Sequence, residues 1–525
     1  MITTTTFSRR SLVKTLVLGG VTMVVGPMTK LASAQALAAS TPMLRSMPFG
    51  KLSDSFIRHN DRPWALETQR SAFGFAPITP QSAFFVRNNL PAPDESIVAN
   101  RDDWRFEMVG AARSGSMTLA ELKALPVRIE AAVIQCSGNG RAYFSHNPSG
   151  SQWATGAAGC ALWTGVRVSD VIKHFGGSTE GKLFLTTTGA EPLPEGVDPS
   201  QVVVERSVPI DKGLQDALLV WEMNGAPLPL IHGGPLRLIV PGYFGVNHVK
   251  WVQRVALTTQ ETGASIQTSG YRFRDIGQSG RTEHPSMYRM PVKSWINGPG
   301  ADNVSPVTPG SNTLYGVAFS GERGIEKVEV SADGGQSWRE AQLIGPDLGP
   351  NAWRSFIFPV DLPLGKHRFV SRATDRAGDV QPRDAILNQR GYGHNGWNDP
   401  ALEIEVITQQ ARTSKLKAVA HSTSSASKTA TASTEPQQIT KLSPLAAQGR
   451  EIFIGKSQPS CTVCHTLADA GSVGAIGPNL NSLKPTADQV FAAVSQGVGA
   501  MPAYATQINQ ADMQALAAYV AEVTR

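Results

Sequence analysis

The five residues Cys461-Thr462-Val463-Cys464-His465 constrain this chain more than any other stretch. Two thiols three positions apart can each bond one vinyl group of a porphyrin. The adjacent histidine then lies beneath the ring as an axial ligand of its iron, which is the spacing of c-type haem attachment. A dithiol redox pair leaves His465 unused, and a zinc site needs a second cysteine pair that the chain lacks.

The surrounding pattern predicts a small helical domain over residues 445–525. One helix is expected at 445–453, ahead of the motif, and another at 510–523, where Met513, Leu516, Val520 and Val523 recur at helical spacing. Two helices bracketing a haem loop is the plan of an all-α class I cytochrome c. The second axial ligand should lie well downstream, and Gly499-Ala500-Met501-Pro502 offers Met501. Met513 competes, but it falls on the apolar face and reads as core. A thioether opposite His465 raises the haem potential and makes the iron an electron carrier. The expected cofactor is one covalent haem c, held through Cys461 and Cys464 and ligated by His465 and Met501.

A carrier needs an electron source, and 525 residues with 41% hydrophobic content leave room for several more domains. The formal charge of +6 is small and dispersed, so nothing favours nucleic acid. Four cysteines, two of them in the haem motif, cannot form a disulfide framework. At the N-terminus Ser8-Arg9-Arg10-Ser11-Leu12 precedes a short apolar run and Ala32-Ser33-Ala34, the pattern of a twin-arginine export signal over residues 1–34. Glycines 19, 20 and 26 make that run a poor spanning helix, so the mature chain is expected in the periplasm without a membrane span. Twin-arginine export carries folded proteins, whereas haem c is attached after export. Two cofactors of different origin are therefore expected. A flexible linker is expected over residues 409–444, whose central part is Ser, Thr, Ala and Lys without aromatic or acidic residues.

Upstream of the linker, residues 291–408 show short alternating runs, such as Lys327-Val328-Glu329-Val330-Ser331 and His367-Arg368-Phe369-Val370-Ser371, separated by Gly-rich turns. This predicts an Ig-like β-sandwich. Residues 43–290 mix strands with short helical pieces at 119–125 and 168–175, a separate α+β domain. Within it the apolar run Val133-Ile134-Gln135 leads into Cys136-Ser137-Gly138-Asn139-Gly140-Arg141, a glycine-rich loop presenting one thiol and one guanidinium. A thiolate beside cations is a soft metal ligand.

That loop resembles the cysteine loop of the sulfite oxidase family, and other stretches match in the family's order. Phe84-Phe85-Val86-Arg87-Asn88-Asn89 resembles the segment with a substrate-site arginine. His232-Gly233-Gly234-Pro235-Leu236-Arg237 and His248-Val249-Lys250-Trp251 resemble the pterin-binding wall and its basic phosphate segment, and Asn388-Gln389-Arg390-Gly391 resembles the second domain's arginine. The resemblance implies Mo-molybdopterin with Cys136 as the molybdenum ligand. It implies cofactor contacts from Phe85, Val86, Arg87, Asn88, Asn89, Glu191, His232, Arg237, His248, Val249 and Lys250. Arg87, Arg141 and Arg390 would hold a small sulfur oxyanion, sulfite, by forked charge-assisted hydrogen bonds. Electrons would pass to the fused haem and then to an external acceptor such as a soluble cytochrome c. The sandwich would be the surface of a homodimer.

One position departs from the pattern. The family's tyrosine after the Lys-Trp segment aligns with Gly263, leaving Tyr271 and Tyr243 as substitutes. Relatives acting on a sulfane sulfur or a sulfoxide share the cysteine loop, and an electron-transfer protein with a decayed metal site is a further alternative. Cys160 fits no motif and reads as a buried structural thiol.

Overall fold

The computed structural model describes residues 49, 51, 55–177, 180–301, 307–413, 442–499 and 501–525. The export signal and most of the linker lie outside the described residues. No helix among those described is long and apolar enough to cross a membrane.

The first part of the chain is built on two five-stranded sheets. In one, Val127–Gln135 pairs antiparallel with Ala158–Arg167 through nine consecutive partners, Val127↔Val166 to Gln135↔Ala158. Its sequence explains its course. The Val-Arg-Ile-Glu start is exposed, and the Ala-Ala-Val-Ile-Gln end is buried on both faces. The strand thus dives into the molecule and delivers Cys136 at its buried end. In the other sheet Arg105–Val109 and Val252–Thr258 run parallel. The helical pieces at Leu119–Lys123 and Val168–His174 match the sequence expectation to within two residues.

The second part consists of two antiparallel four-stranded sheets. The alternating runs seen in the sequence lie in Ile325–Ser331 and Gly365–Asp375, paired so that Val328 faces Ala373 and Val330 faces Ser371. Ile296, Leu314, Val328, Phe356, Phe369 and Ile404 share one core between the sheets. A second cluster joins this part to the first through Phe73, Trp295, Phe319 and Trp353, with Phe73 stacked 5.9 Å from Trp353. Cys160 belongs to that cluster, fully buried, its thiol pushed up to about 12 by burial. It is the structural thiol expected.

The C-terminal part is helical. Pro444–Glu451 is capped by Ser443 and passes into a wider turn at Ile452–Lys456, so the first helix ends two residues earlier than the periodicity suggests. Gln510–Val523 buries Met513, Leu516 and Val520 as expected. Pro444–Glu451 crosses it at Gly449, where a Cβ would stand 2.0 Å from the Ala515 carbonyl oxygen. Gly449→Leu should therefore lower the stability of this domain by at least about 1–3 kcal/mol, the usual cost of forcing methylenes into a packed contact. Thermal unfolding followed at the haem absorbance would read it.

Candidate functional site

Cys136 leaves its strand with its amide donating to the Ala157 carbonyl at 2.9 Å. The loop then closes on itself: Asn139 N donates to Cys136 O and Arg141 N to Gly138 O, each at 2.9 Å, with Gly140 at φ +99°. The second part of the chain clamps this loop from outside. Gly393 N donates to Ser137 O at 2.8 Å, Lys293 Nζ to Asn139 O at 3.1 Å, and Arg141 Nε to Arg390 O at 2.9 Å.

Cys136 opens on two cavities. The larger, about 680 Å³ of empty space counting its mouth, is lined by Phe85, Arg87, Asn88, Asn89, Ser137, Glu191, His232, Arg237, His248, Val249, Lys250 and Tyr271. The two basic segments meet here because Trp251 N donates to Gly233 O at 3.2 Å. Gly233 adopts φ +108°, and a Cβ there would stand 3.0 Å from Lys250 Cβ. Lys250 Nζ reaches Asn88 Oδ1 at 2.5 Å and Ile231 O at 2.6 Å. Arg237 Nη1 donates to His232 O at 2.8 Å, and Lys51 Nζ lies 2.9 Å from His232 Nε2.

This cleft gathers cations without enough counter-charge. Burial, with the mutual repulsion of these groups, lowers His232 and Lys250 well below their ordinary values. Burial also takes His248 to about 3 and Arg237 to about 9. Burial drives Glu191 the other way, up to about 8. Among its buried polar atoms Ser137 Oγ, Asn88 Nδ2, Arg237 Nε and Glu191 Oε2 have no protein partner. A large polar ligand bearing an anionic group, with ring donors for Glu191, would satisfy these atoms. Molybdopterin has that chemistry, and the residues fit it.

The smaller cavity is lined by Arg87, Cys136, Arg141, Trp153, Tyr271, Arg390 and Tyr392. All three arginines named from the sequence converge here with the thiol. Tyr392 lies beneath two of them, with Arg141 5.4 Å and Arg390 5.7 Å from its ring centre, and stacks on Tyr271 at 5.2 Å. Arg141 is lowered chiefly by burial.

One sequence expectation is corrected, and of the two tyrosines named as substitutes one reaches the site. Val86 does not line the cleft: it alternates with Phe85 and Arg87 along its strand and packs with Phe56, Leu66 and Ile231. The absent tyrosine at Gly263 is no loss, since Gly263 faces open space and Tyr271 reaches the cavities, its hydroxyl donating to Asn89 Oδ1 at 3.1 Å. The wide helical turn Ile266–Gly270 carries Tyr271 there. Tyr243 stacks on Tyr288 in another core. Lys51, Trp153 and Tyr392 were not visible as site residues. Tyr392 stood two positions beyond Arg390, but Lys51 and Trp153 lie in no motif.

Cys461, Cys464, His465 and Met501 line a third cavity, about 1750 Å³ including its mouth, with Phe453, Tyr504, Leu516 and Val520. His465 Nδ1 faces the Pro478 carbonyl at 3.1 Å, and burial favours the neutral ring. This leaves Nε2 for a metal. Gly477 makes room for the ring, for a Cβ there would stand 2.6 Å from His465 Cε1. Met513 lies in the helical core outside this cavity. Arg87, Asn89, Gly150 and Ser151 form the cavity's far wall.

Comparisons with known proteins agree with this division. Residues 91–266 match the model of the oxidoreductase molybdopterin binding domain, and residues 284–405 that of the Mo-co oxidoreductase dimerisation domain. Residues 444–520 match cytochrome C oxidase, cbb3-type, subunit III. Mitochondrial sulfite oxidase of Rattus norvegicus is 32% identical over 392 residues, covering 70% of this chain and 69% of the relative. Sulfite oxidase of Arabidopsis thaliana is 29% identical over 373 residues, 65% of this chain and 92% of the relative. The crystal structure of the sulfane dehydrogenase SoxCD from Paracoccus pantotrophus superposes with a TM-score of 0.55 at 25% identity, covering 72% of this chain and 95% of that one. With a pterin cleft beside Cys136 and a haem cavity sharing its wall, this chain belongs to the sulfite oxidase family of molybdopterin oxidoreductases, fused to a cytochrome c domain.

Proposed function

We propose that the chain is a periplasmic sulfite dehydrogenase that oxidises sulfite to sulfate, with Cys136 as the molybdenum ligand, and passes electrons one at a time to its own haem. The observation that carries this reading is the convergence of Arg87, Arg141, Arg390 and Tyr271 on Cys136 in one small cavity. Sulfite plus water gives sulfate, two protons and two electrons. The molybdenum-pterin centre supplies oxygen-atom transfer and accepts the electron pair. The chain's residues do the rest. Guanidinium groups bind and orient the dianion, and Tyr271 lines the pocket beside them with a phenol that burial keeps protonated and whose one hydrogen goes to Asn89 Oδ1. Arg237, His248 and Lys250 face the cofactor's anionic end. His465 and Met501 ligate the iron. The twin-arginine pattern supports export, the acceptor beyond the haem is a soluble cytochrome c, and the two-sheet part is an Ig-like sandwich that pairs two copies. The sulfane dehydrogenase likeness defines the competing substrate class.

Sulfite alone should reduce the bound haem in the molybdenum-loaded protein; a sulfane or sulfoxide that reacts while sulfite leaves the haem oxidised would overturn the substrate. Cys136→Ser should abolish that reduction with the haem spectrum intact. Arg87→Gln should lower kcat/KM about ten- to a hundredfold, from a charged hydrogen bond worth about 1.5–3 kcal/mol. Met501→Ala should lower the haem potential, measured by redox titration.

Cofactor removal has its own signature. In the pterin-free chain Glu191 titrates near 8 when folded against 4.5 in its ordinary state. The folded state then holds the extra proton between those values, so this group's contribution to stability falls as pH rises through that window. His232, His248 and Lys250, lowered by burial, push stability the other way, so the check is a difference: the urea midpoint of Glu191→Gln minus that of wild type, both pterin-free, should rise with pH through that window.

A further inference from the structure

Arg390 faces two domains at once. It is buried, 4% exposed, and its Nη1 donates to the carbonyls of Gln496 at 3.0 Å and Gly497 at 2.6 Å. Those carbonyls stand at the C-terminal end of Ala487–Gln496, a helix of the haem domain, where the helix dipole favours a cation. Arg390 Nε has no protein partner, and neither has the indole N–H of fully buried Trp153. Both residues line the arginine cavity, so two buried donors are left for a ligand.

The haem domain closes that cavity. Val498 and Gly499 complete its lining beside Arg87, Cys136, Arg141 and Arg390. Two backbone bonds tie the ends of the turn that carries them: Val498 N donates to Met501 O at 3.0 Å, and Met501 N to Val498 O at 2.9 Å. At Gly499, φ is +61°, and a Cβ would stand 3.1 Å from Arg87 Nη2 and 3.2 Å from Asn89 Oδ1. The enclosed space is about 290 Å³ even counting its mouth. The pocket is therefore tight, with little room beyond one small ligand.

We propose that residues 496–499 of the haem domain form the closing wall of the anion pocket and set the largest anion it admits. The inference rests on the reading of the arginine cavity as the substrate pocket. A small oxyanion fits beneath the wall and takes the donors of Arg390 and Trp153 with the haem domain seated. A longer anion meets Val498 and binds only if the wall lifts, which breaks both Arg390 bonds and carries Met501 away from the pocket. Size selection and electron exit are thereby tied to one turn.

Calorimetric titration of the oxidised full chain, loaded with molybdenum and haem, tests this without turnover. Sulfate, methanesulfonate and benzenesulfonate are the probes; the two sulfonates carry the same charge and differ in size. Wild type should bind sulfate and methanesulfonate and discriminate against benzenesulfonate at least tenfold. Val498→Ala should narrow the sulfonate ratio at least threefold, and Gly499→Ala, pressing on Arg87, should weaken sulfate binding. Val473→Ala, an exposed residue lining none of the three cavities, should do neither. An unchanged sulfonate ratio in Val498→Ala, with its haem spectrum intact, overturns the proposal, as does unchanged sulfate affinity in Gly499→Ala. Absence of sulfate binding in wild type overturns the pocket reading and the wall together. Size discrimination retained in a protein that fails to oxidise sulfite sinks only the substrate.

Discussion

The site is governed by basic side chains gathered where water is scarce, which burial pushes toward their neutral forms until an anion is present. Lys51, His232, Arg237, His248 and Lys250 lie together in one part of the interior, with Glu191 as the acid among them. A buried cation without a partner is expensive, and a cluster of them is more so. The protein tolerates the cluster because most of these groups also bind backbone carbonyls, as Lys250 does at Ile231 and Arg237 at His232. The remaining deficit is answered by an anionic cofactor.

Around that deficit the three parts of the chain have separate tasks. The first part drives a buried strand inward to present a thiol. The second holds the loop that follows. The third brings iron ligands to a cavity whose far wall is made of Arg87, Asn89, Gly150 and Ser151. Arg87 lines all three cavities, so one guanidinium borders the cleft, the arginine cavity and the cavity of the haem motif.

Local chemistry was legible in the sequence, and convergence was not. The haem motif announces itself because covalent attachment needs two thiols and a histidine at fixed spacing. The alternating runs at 327–331 and 367–371 announce strands, and both fold as strands, although only the first alternates in burial. The role of Tyr271 was obscured because a wide helical turn, Ile266–Gly270, sets the path just before it, and counting residues from Trp251 cannot follow such a turn. Val86 was misplaced for the opposite reason: a regular strand turns every second side chain away, and a contiguous motif hides that alternation. Trp153 and Lys51 come from segments with no periodicity, and only the tertiary fold brings them near the cavities.

The clamp on the cysteine loop has a consequence for assembly. Lys293, Gly393 and the Arg390 carbonyl all belong to the part of the chain that matches a dimerisation domain, yet each bonds the loop bearing Cys136 or its neighbour Arg141. The body that matches a dimerisation domain is thus also the vice that grips the cysteine loop, so a lesion far from Cys136 in that body reaches the thiol through those bonds.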